Sequence, residues 1–200
     1  MTLRSLLERR PIYQRRFARV ALIGGSLSTL VAGMLFVNNE ITPLLKRPVR
    51  PREFAIAWLL VFAATVVSAA FLSANGPQNS TAAPVGGRTK LVLGLLAPYL
   101  LIPAAFTAWF FGTGYLGGTE LDLVVAWIAF YGLMLVATTT FAPRAIVLLG
   151  WVFLLTAVAV PLFEQNLDLG DIPTLLMGLT FGLYHCIYAV FNWRARDTTG

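Results

Sequence analysis

The sequence LVVAWIAFYGLMLVATTTFAP (residues 123–143) is followed, after one arginine, by AIVLLGWVFLLTAVAVPLF (residues 145–163), and neither stretch contains a charged residue. At a helical rise of 1.5 Å per residue, about 20 apolar residues cross the roughly 30 Å of hydrocarbon in a bilayer. Both stretches have about that length. The connection at residues 141–144 is so short that the two helices must run antiparallel as a tight hairpin.

The same pattern extends over the whole chain. Only 24 of the 200 residues are charged (15 Lys+Arg and 9 Asp+Glu), whereas 58% are hydrophobic. These charges separate six uncharged runs, each about long enough to span a bilayer, which excludes a water-soluble domain. Strands are not expected, since an open sheet edge stays unsatisfied in lipid. The sequence therefore predicts an all-α polytopic membrane protein, a six-transmembrane-helix bundle that forms one membrane domain over residues 1–200, with spans near 20–39, 54–74, 91–111, 123–141, 145–163 and 172–193.

The basic residues indicate the orientation of this bundle. With six spans both termini lie on one side of the membrane, and Lys and Arg collect on the cytoplasmic side. Eleven of the 15 basic residues fall on the side of the termini, so we expect cytoplasmic termini and a cytoplasmic tail over residues 1–19. Four cations oppose this arrangement because they lie in the first connection, on the predicted outer side: Lys46, Arg47, Arg50 and Arg52. A re-entrant first run would shift the later assignments and place these cations inside.

The strongly basic balance fits this topology. A net charge of +6 and a pI near 10 would suggest nucleic-acid binding in a soluble chain, but six of the 15 basic residues lie just before the first span. Basic residues there are explained by topology and by anionic lipid headgroups. The expected partner is therefore the lipid bilayer, and nucleic acid is not a partner. Within the tail, Pro11 is expected to stop a short helical turn that contains Leu3, Leu6 and Leu7.

Small residues recur at helical spacing in the first and last spans. Such rows allow close approach of helix backbones where lipid provides no hydrophobic drive for association. We interpret them as a packing seam within the chain, and the alternative is a face for a homodimer or another membrane protein. In the last span, the spacing predicts that His185 and Ala189 share the face of the two glycines there. The candidate helix-packing residues are Gly24, Gly25, Ser28, Gly33, Gly178 and Gly182.

The last span also contains the single histidine, His185, beside the single cysteine, Cys186. An ionisable group inside a membrane span is a functional-site hypothesis by default. The imidazole could be the axial ligand of a haem or chlorin pigment, or a proton-relay group. The structural interpretation is a neutral ring that is hydrogen-bonded to Tyr184, Tyr188 or a backbone carbonyl. For Cys186 we expect a small buried hydrophobic side chain, and one cysteine excludes a disulfide framework.

No enzyme motif occurs in the sequence. It contains no His-Glu-x-x-His zinc helix, no Gly-x-Ser-x-Gly elbow, no phosphate-binding glycine loop, and no carboxylate inside a predicted span. We therefore predict no catalytic residue and no metal ligand, and a cofactor other than a pigment or haem at His185 is unknown. The acidic residues at the predicted outer ends are expected to form a solvated rim: Glu120, Asp122, Glu164, Asp168 and Asp171.

One stretch, residues 116–161, begins LGGTELD and continues through FAPR to GWVFLLT, and a second stretch covers residues 176–190. These two stretches resemble a group of small multi-pass bacterial membrane proteins without a known activity. The resemblance implies a protein of the bacterial cytoplasmic (inner) membrane and implies no particular activity.

The sequence thus favours a non-enzymatic integral membrane protein that acts through helix–helix contacts as a sensor, regulator or accessory subunit. A small transporter or channel is an alternative, in which the path would follow the proline-kinked third span, the threonines 138–140 and His185. A haem or pigment carrier that uses His185 is a further alternative.

Overall fold

The computed structural model describes residues 10–41, 49–74, 101–112, 119–140, 142–163 and 171–194. This part of the chain is helical and contains no β-strand, as the sequence predicts. The helices are α1 (Arg10–Phe36, continued by the π-helical Val37–Ile41), α2 (Pro51–Ala74), α3 (Leu101–Gly112), α4 (Glu120–Ala137, then the 3₁₀ turn Thr138–Thr140), α5 (Arg144–Phe163) and α6. We use α6 for three consecutive segments: Ile172–Met177, the π-helical Gly178–Tyr184, and His185–Arg194.

Within the described residues, five helices are long and apolar enough to cross a membrane, and they lie in α1, α2, α4, α5 and α6. The apolar helix α3 is shorter, because residues 91–100 of the third predicted span lie outside the described residues. The predicted turn at residues 3–7 and the cations Lys46 and Arg47 also lie outside them. The sequence-based prediction of a chain of several apolar helices is confirmed.

The first helix begins earlier than the first predicted span. The sequence predicted this span from about residue 20, but α1 is continuous from Arg10 through Pro11 to Phe36. A proline ring obstructs the helical turn that precedes it, and it leaves the following turns free to form. Pro11 is therefore compatible with the helix that continues after it.

Two helices begin at side-chain caps. Thr119 Oγ1 accepts a hydrogen bond from the backbone N–H of Asp122 at 3.3 Å, while the Asp122 carboxylate accepts one from the Thr119 N–H at 2.7 Å. This capping box satisfies two of the backbone donors at the start of α4. Asp171 caps α6 by accepting from the Thr174 N–H at 3.1 Å, and Pro173 lies in the first helical turn, where a proline is well tolerated.

Helices α4 and α5 form the hairpin that their short connection predicts, and they are packed along their length. Gly132 and Gly150 face each other across this hairpin. A Cβ added to Gly132 would lie 3.0 Å from the Gly150 carbonyl oxygen, and the reverse distance is 2.9 Å. Because a side chain at either position would separate the two backbones, glycine is what allows this close approach.

Helix α1 packs against α2 and, along its length, against α6. Near one end, the Arg19 guanidinium lies over the Trp193 ring at 6.0 Å. Towards the other end, the Asn39 side-chain amide donates to the Asp171 carboxylate at 2.6 Å. The helices α1 and α6 therefore run antiparallel, and the start of α1 lies beside the end of α6.

The outward faces of the bundle are apolar. Each of the following side chains is more than 60% exposed: Leu60, Val66, Val67 and Phe71 on α2, and Leu148, Leu155, Val158 and Leu162 on α5. Large continuous apolar patches are unusual on monomeric soluble proteins and mark interaction surfaces. This surface has the composition that contact with lipid tails requires.

Candidate functional site

The imidazole of His185 is buried where α6 meets α4, and 7% of the residue is exposed. Its Nε2 lies 2.7 Å from the Tyr131 hydroxyl oxygen, and its Nδ1 lies 3.3 Å from the Thr180 carbonyl oxygen. Because a carbonyl only accepts, Nδ1 carries the proton, and Nε2 of the neutral ring accepts from the Tyr131 hydroxyl. We refer to Tyr131 and His185 as the polar pair.

Tyr131 is not one of the tyrosines that the sequence suggested as partners of His185. The Tyr184 hydroxyl lies 3.1 Å from Thr156 Oγ1 of α5. The hydroxyl of Tyr188 is buried and has no hydrogen-bond partner in the described part of the chain. The partners of His185 are a tyrosine and a backbone carbonyl, which are the kinds of partner that the structural interpretation named. Which tyrosine it is depends on the packing of α4 against α6, so the spacing of residues within the last span could not indicate Tyr131.

Aromatic rings enclose the polar pair. Phe181 is stacked on the His185 ring, with 6.2 Å between centroids and an angle of 10° between planes. Phe153 of α5 is fully buried and approaches the His185 ring edge-on, with 5.5 Å between centroids. The Phe153 ring is tilted against the Tyr131 ring, with 4.9 Å between centroids. These rings keep water from that side of the pair. In such apolar surroundings a polar group that loses its partner is costly.

A π-helical segment in α6 sets the direction of His185. The wider turn of Gly178–Tyr184 rotates the residues that follow it around the helix axis. The predicted common face of Gly178, Gly182, His185 and Ala189 is therefore wrong for His185, which points towards Tyr131. Cys186 continues the row against α1 instead, because its Sγ lies 2.9 Å from the position of a Cβ added to Gly25.

The small residues of α1 and α6 form a close seam between these helices. A Cβ added to Gly182 would lie 2.5 Å from Thr29 Oγ1, and one added to Gly178 would lie 2.8 Å from the Ala32 Cβ. A Cβ added to Gly25 would lie 2.9 Å from the Gly182 carbonyl oxygen. These three glycines therefore pack within the chain, which was the first interpretation of the sequence pattern.

The other predicted packing residues have different surroundings. Gly24 faces α2, where an added Cβ would lie 2.9 Å from Thr65 Cγ2. Ser28 is 3% exposed and lines a pocket between helices. Gly33 is exposed, and a Cβ added there would meet no atom within 4 Å. No helix of the described chain covers Gly33.

An apolar pocket of about 370 Å³ adjoins the polar pair. Residues of α1, α2, α3, α4 and α6 line it, and most of them are apolar. None of the lining residues is Asp, Glu, Lys or Arg. A pocket with apolar walls and a few convergent polar groups is the default candidate for a ligand site. The polar or amphipathic lining residues are Ser28, Thr65, Thr107, Trp127, Tyr131 and His185.

A buried hydrogen bond beside the pocket joins the short helix α3 to α4. Trp127 Nε1 donates to Thr107 Oγ1 at 2.8 Å, and the Thr107 hydroxyl donates to the Pro103 carbonyl at 2.7 Å. Pro103 and His185, two groups of the predicted transport path, line this same pocket. The threonines 138–140 do not line it, and the hydroxyl of Thr138 donates to the Leu135 carbonyl at 2.6 Å.

The donor set does not fit a haem or chlorin that is ligated by His185. An axial ligand needs a free imidazole nitrogen, whereas Nδ1 and Nε2 are both hydrogen-bonded. Release of Nε2 would leave the Tyr131 hydroxyl without its acceptor in an apolar site. Among the residues that the structure describes, no group of three or more His, Cys, Asp or Glu side chains could hold a metal ion.

The predicted acidic rim is described for three of its five members. Glu120 is the first residue of α4, and Asp122 and Asp171 serve as the helix caps described above. Asp171 also accepts from Asn39. Glu164 and Asp168 lie outside the described residues.

Comparison of the chain with known proteins found no matching family model, no similar curated protein and no similar solved structure.

Proposed function

We propose that the chain is a six-span protein of the bacterial inner membrane with cytoplasmic termini, and that it acts without catalysis as a sensor, regulator or accessory subunit. Five helices of spanning length and their apolar outward faces support the membrane assignment. Residues 91–100 would complete the third crossing ahead of α3. The contact of Arg19 with Trp193 agrees with termini on one side, as an even number of crossings requires.

An uncovered glycine on α1, Gly33, carries the functional part of the proposal. Gly33 has open space around its Cα, and its helical neighbours Leu30 and Met34 are 56% and 60% exposed. A small residue between large apolar ones allows the backbone of another helix to come close in lipid. This face is therefore suited to a helix of another membrane protein or of a second copy.

The interior supports a role without catalysis. The imidazole of His185 is held at both nitrogens, so neither is free to act as a general base in the described arrangement. The Thr156 hydroxyl, the closest hydroxyl to Tyr184, donates to the Val152 carbonyl at 2.9 Å. No described hydroxyl is paired with the imidazole except that of Tyr131, whose phenol belongs to the polar pair.

A small transporter is the second candidate, because Pro103 and His185 line one pocket among five helices. A broken or kinked helix beside a cavity is a feature of transporter sites. Flux into proteoliposomes that His185→Ala abolishes would favour this candidate, and flux that the substitution leaves unchanged would remove His185 from the path.

Photo-crosslinking in native membranes tests the proposed contact face. We expect a benzophenone side chain at Met34 to form a protein adduct, while the same side chain at Leu155, which is 66% exposed on α5, forms lipid adducts. Gly33→Leu should abolish the adduct at Met34 and leave the fold intact, because open space surrounds Gly33. Lipid adducts alone at Met34 would contradict the proposal.

A further inference from the structure

We propose that the pocket beside the polar pair binds an uncharged, mostly hydrocarbon molecule with one hydroxyl group, which donates a hydrogen bond to the phenol oxygen of Tyr131. This inference goes beyond the proposed function. It concerns the interior of the bundle and does not depend on a partner at Gly33.

The size and charge of the pocket define the class of ligand. Its volume of about 370 Å³ is more than twice the roughly 150 Å³ of an apolar cavity that takes up benzene. In proportion, the pocket has room for a ligand of about 15 non-hydrogen atoms. The lining contains no Asp, Glu, Lys or Arg. A charged ligand would therefore lose its hydration without gaining a counter-ion, so the ligand is uncharged.

The hydrogen bonds of three of the four lining hydroxyl groups, those of Thr65, Thr107 and Tyr131, indicate the polar group of the ligand. Thr65 donates to the Val61 carbonyl at 2.8 Å, Thr107 donates to the Pro103 carbonyl, and Tyr131 donates to His185 Nε2. Each of these oxygens has used its proton and retains lone pairs that can accept. A ligand that brings a donor, such as an alcohol, therefore matches them better than a ketone or an ether does.

Among these three oxygens, that of Tyr131 is the acceptor that remains most available. The Thr107 oxygen already accepts from Trp127 Nε1. The Thr65 oxygen lies 3.1 Å from the position of a Cβ added to Gly24, so α1 covers it. Tyr131 lines the pocket, and within the described part of the chain its phenol oxygen makes one side-chain hydrogen bond, the one to His185. A hydroxyl in the pocket can donate to it without breaking the polar pair.

A series of three probes tests the ligand class: dodecan-1-ol, dodecane and ionised dodecanoate. Saturable binding is measured with the full chain in phosphatidylcholine nanodiscs, and empty nanodiscs provide the partition background. We expect one dodecan-1-ol per chain, binding of dodecane that is about 3- to 10-fold weaker through the loss of one hydrogen bond, and no saturable binding of dodecanoate. Equal binding of dodecane and dodecan-1-ol would overturn the proposal and indicate that a lipid acyl chain fills the pocket.

The location is tested by filling the pocket. Ala104 and the half-buried Val20 both line it, so Ala104→Phe and, as a second variant, Val20→Trp should each remove saturable binding of dodecan-1-ol. Leu155→Phe adds comparable bulk on the outer face of α5 and should leave binding unchanged. Unfolding curves identify a variant that fails to fold, and binding that survives in a folded pocket-filling variant would overturn the location.

The anchor is tested by replacing both members of the polar pair. The double variant Tyr131→Phe with His185→Leu removes donor and acceptor together, so no buried polar group of the pair loses its partner. We expect dodecane to bind as in the wild type and dodecan-1-ol to bind no better than dodecane. Retained preference for the alcohol would exclude Tyr131 as its acceptor. A merely structural role would weaken both probes equally, and the crosslink at Met34 reports separately on the proposed function.

Discussion

Tyr131 and His185 satisfy each other in a part of the bundle where aromatic rings exclude water. Removal of the Tyr131 hydroxyl leaves the buried Nε2 without a donor, and removal of His185 leaves the buried hydroxyl without an acceptor. Removal of both leaves apolar packing. The coupling free energy between these two residues is therefore expected to exceed that between two residues joined by an exposed hydrogen bond.

The cost of Tyr131→Phe tests this coupling. We expect the substitution to lower the free energy of unfolding by about 1–3 kcal/mol, because Nε2 of His185 then has no donor. Tyr131→Phe combined with His185→Leu should cost less than the sum of the two single substitutions. Unfolding in mixed detergent micelles, followed by tryptophan fluorescence, measures all three variants, and strict additivity would show that the pair is not coupled.

Gly182 is expected to be the least tolerant glycine of the seam between α1 and α6. A Cβ at Gly182 would lie 2.5 Å from Thr29 Oγ1, so Gly182→Ala forces the helices apart and should cost about 1–3 kcal/mol of unfolding free energy. Gly33→Ala is the matched control, because a Cβ there meets nothing and alanine favours a helix by up to about 1 kcal/mol. Equal thermal midpoints for both variants would contradict this seam.

The Asp171 carboxylate accepts two hydrogen bonds at the start of α6, and one of them joins α6 to α1. One carboxylate oxygen caps the helix at the Thr174 N–H, and the other accepts from Asn39 at the end of α1. We expect Asp171→Ala to cost about 1–2 kcal/mol, the upper range for the loss of an N-cap. In an Asn39→Ala background the cost should fall to that of the cap alone, and an unchanged cost would mean that the bond between α1 and α6 contributes nothing. Chemical unfolding of the four proteins of this cycle provides the measurement.

Local rules predicted the elements that local contacts determine. Four residues between two apolar runs required a hairpin, which α4 and α5 form. The π-helical turn in α6 depends on how the helix is packed over several residues, and the partner of His185 lies 54 positions away on another helix. The pocket combines residues of five helices, so no single segment of the sequence indicates it.

At the scale of the whole molecule, hydropathy predicted apolar helices but not which of them become neighbours. The small-residue rows correctly indicated close packing within the chain at Gly25, Gly178 and Gly182. They did not distinguish these positions from Gly33, which has the same residue type at the same spacing and no neighbour. The difference arises from the side of α1 on which α6 lies, and only the tertiary arrangement determines that.

Cysteine accessibility tests the six-span topology. In a Cys186→Ala background, we expect Lys46→Cys and Gln165→Cys to react with a membrane-impermeant maleimide from the periplasm, because both lie in predicted outer connections. Ser80→Cys should react only after the membrane is opened, since the second connection is predicted to be cytoplasmic. Reaction of Lys46→Cys only from the cytoplasmic side would refute the topology and favour a re-entrant first run.

The antiparallel pairing of α1 with α6 has a consequence for biosynthesis. Asn39 and Asp171 are 132 residues apart, so at about 5–20 residues per second the ribosome produces the partner of α1 roughly 7 to 26 s after α1 itself. During that interval the glycine face of α1 has no α6 to receive it, although the helix already occupies the membrane in the proposed topology. A nascent chain interrupted before α6 would therefore display an unpaired seam, which makes α1 a natural target for insertion chaperones and for membrane proteases.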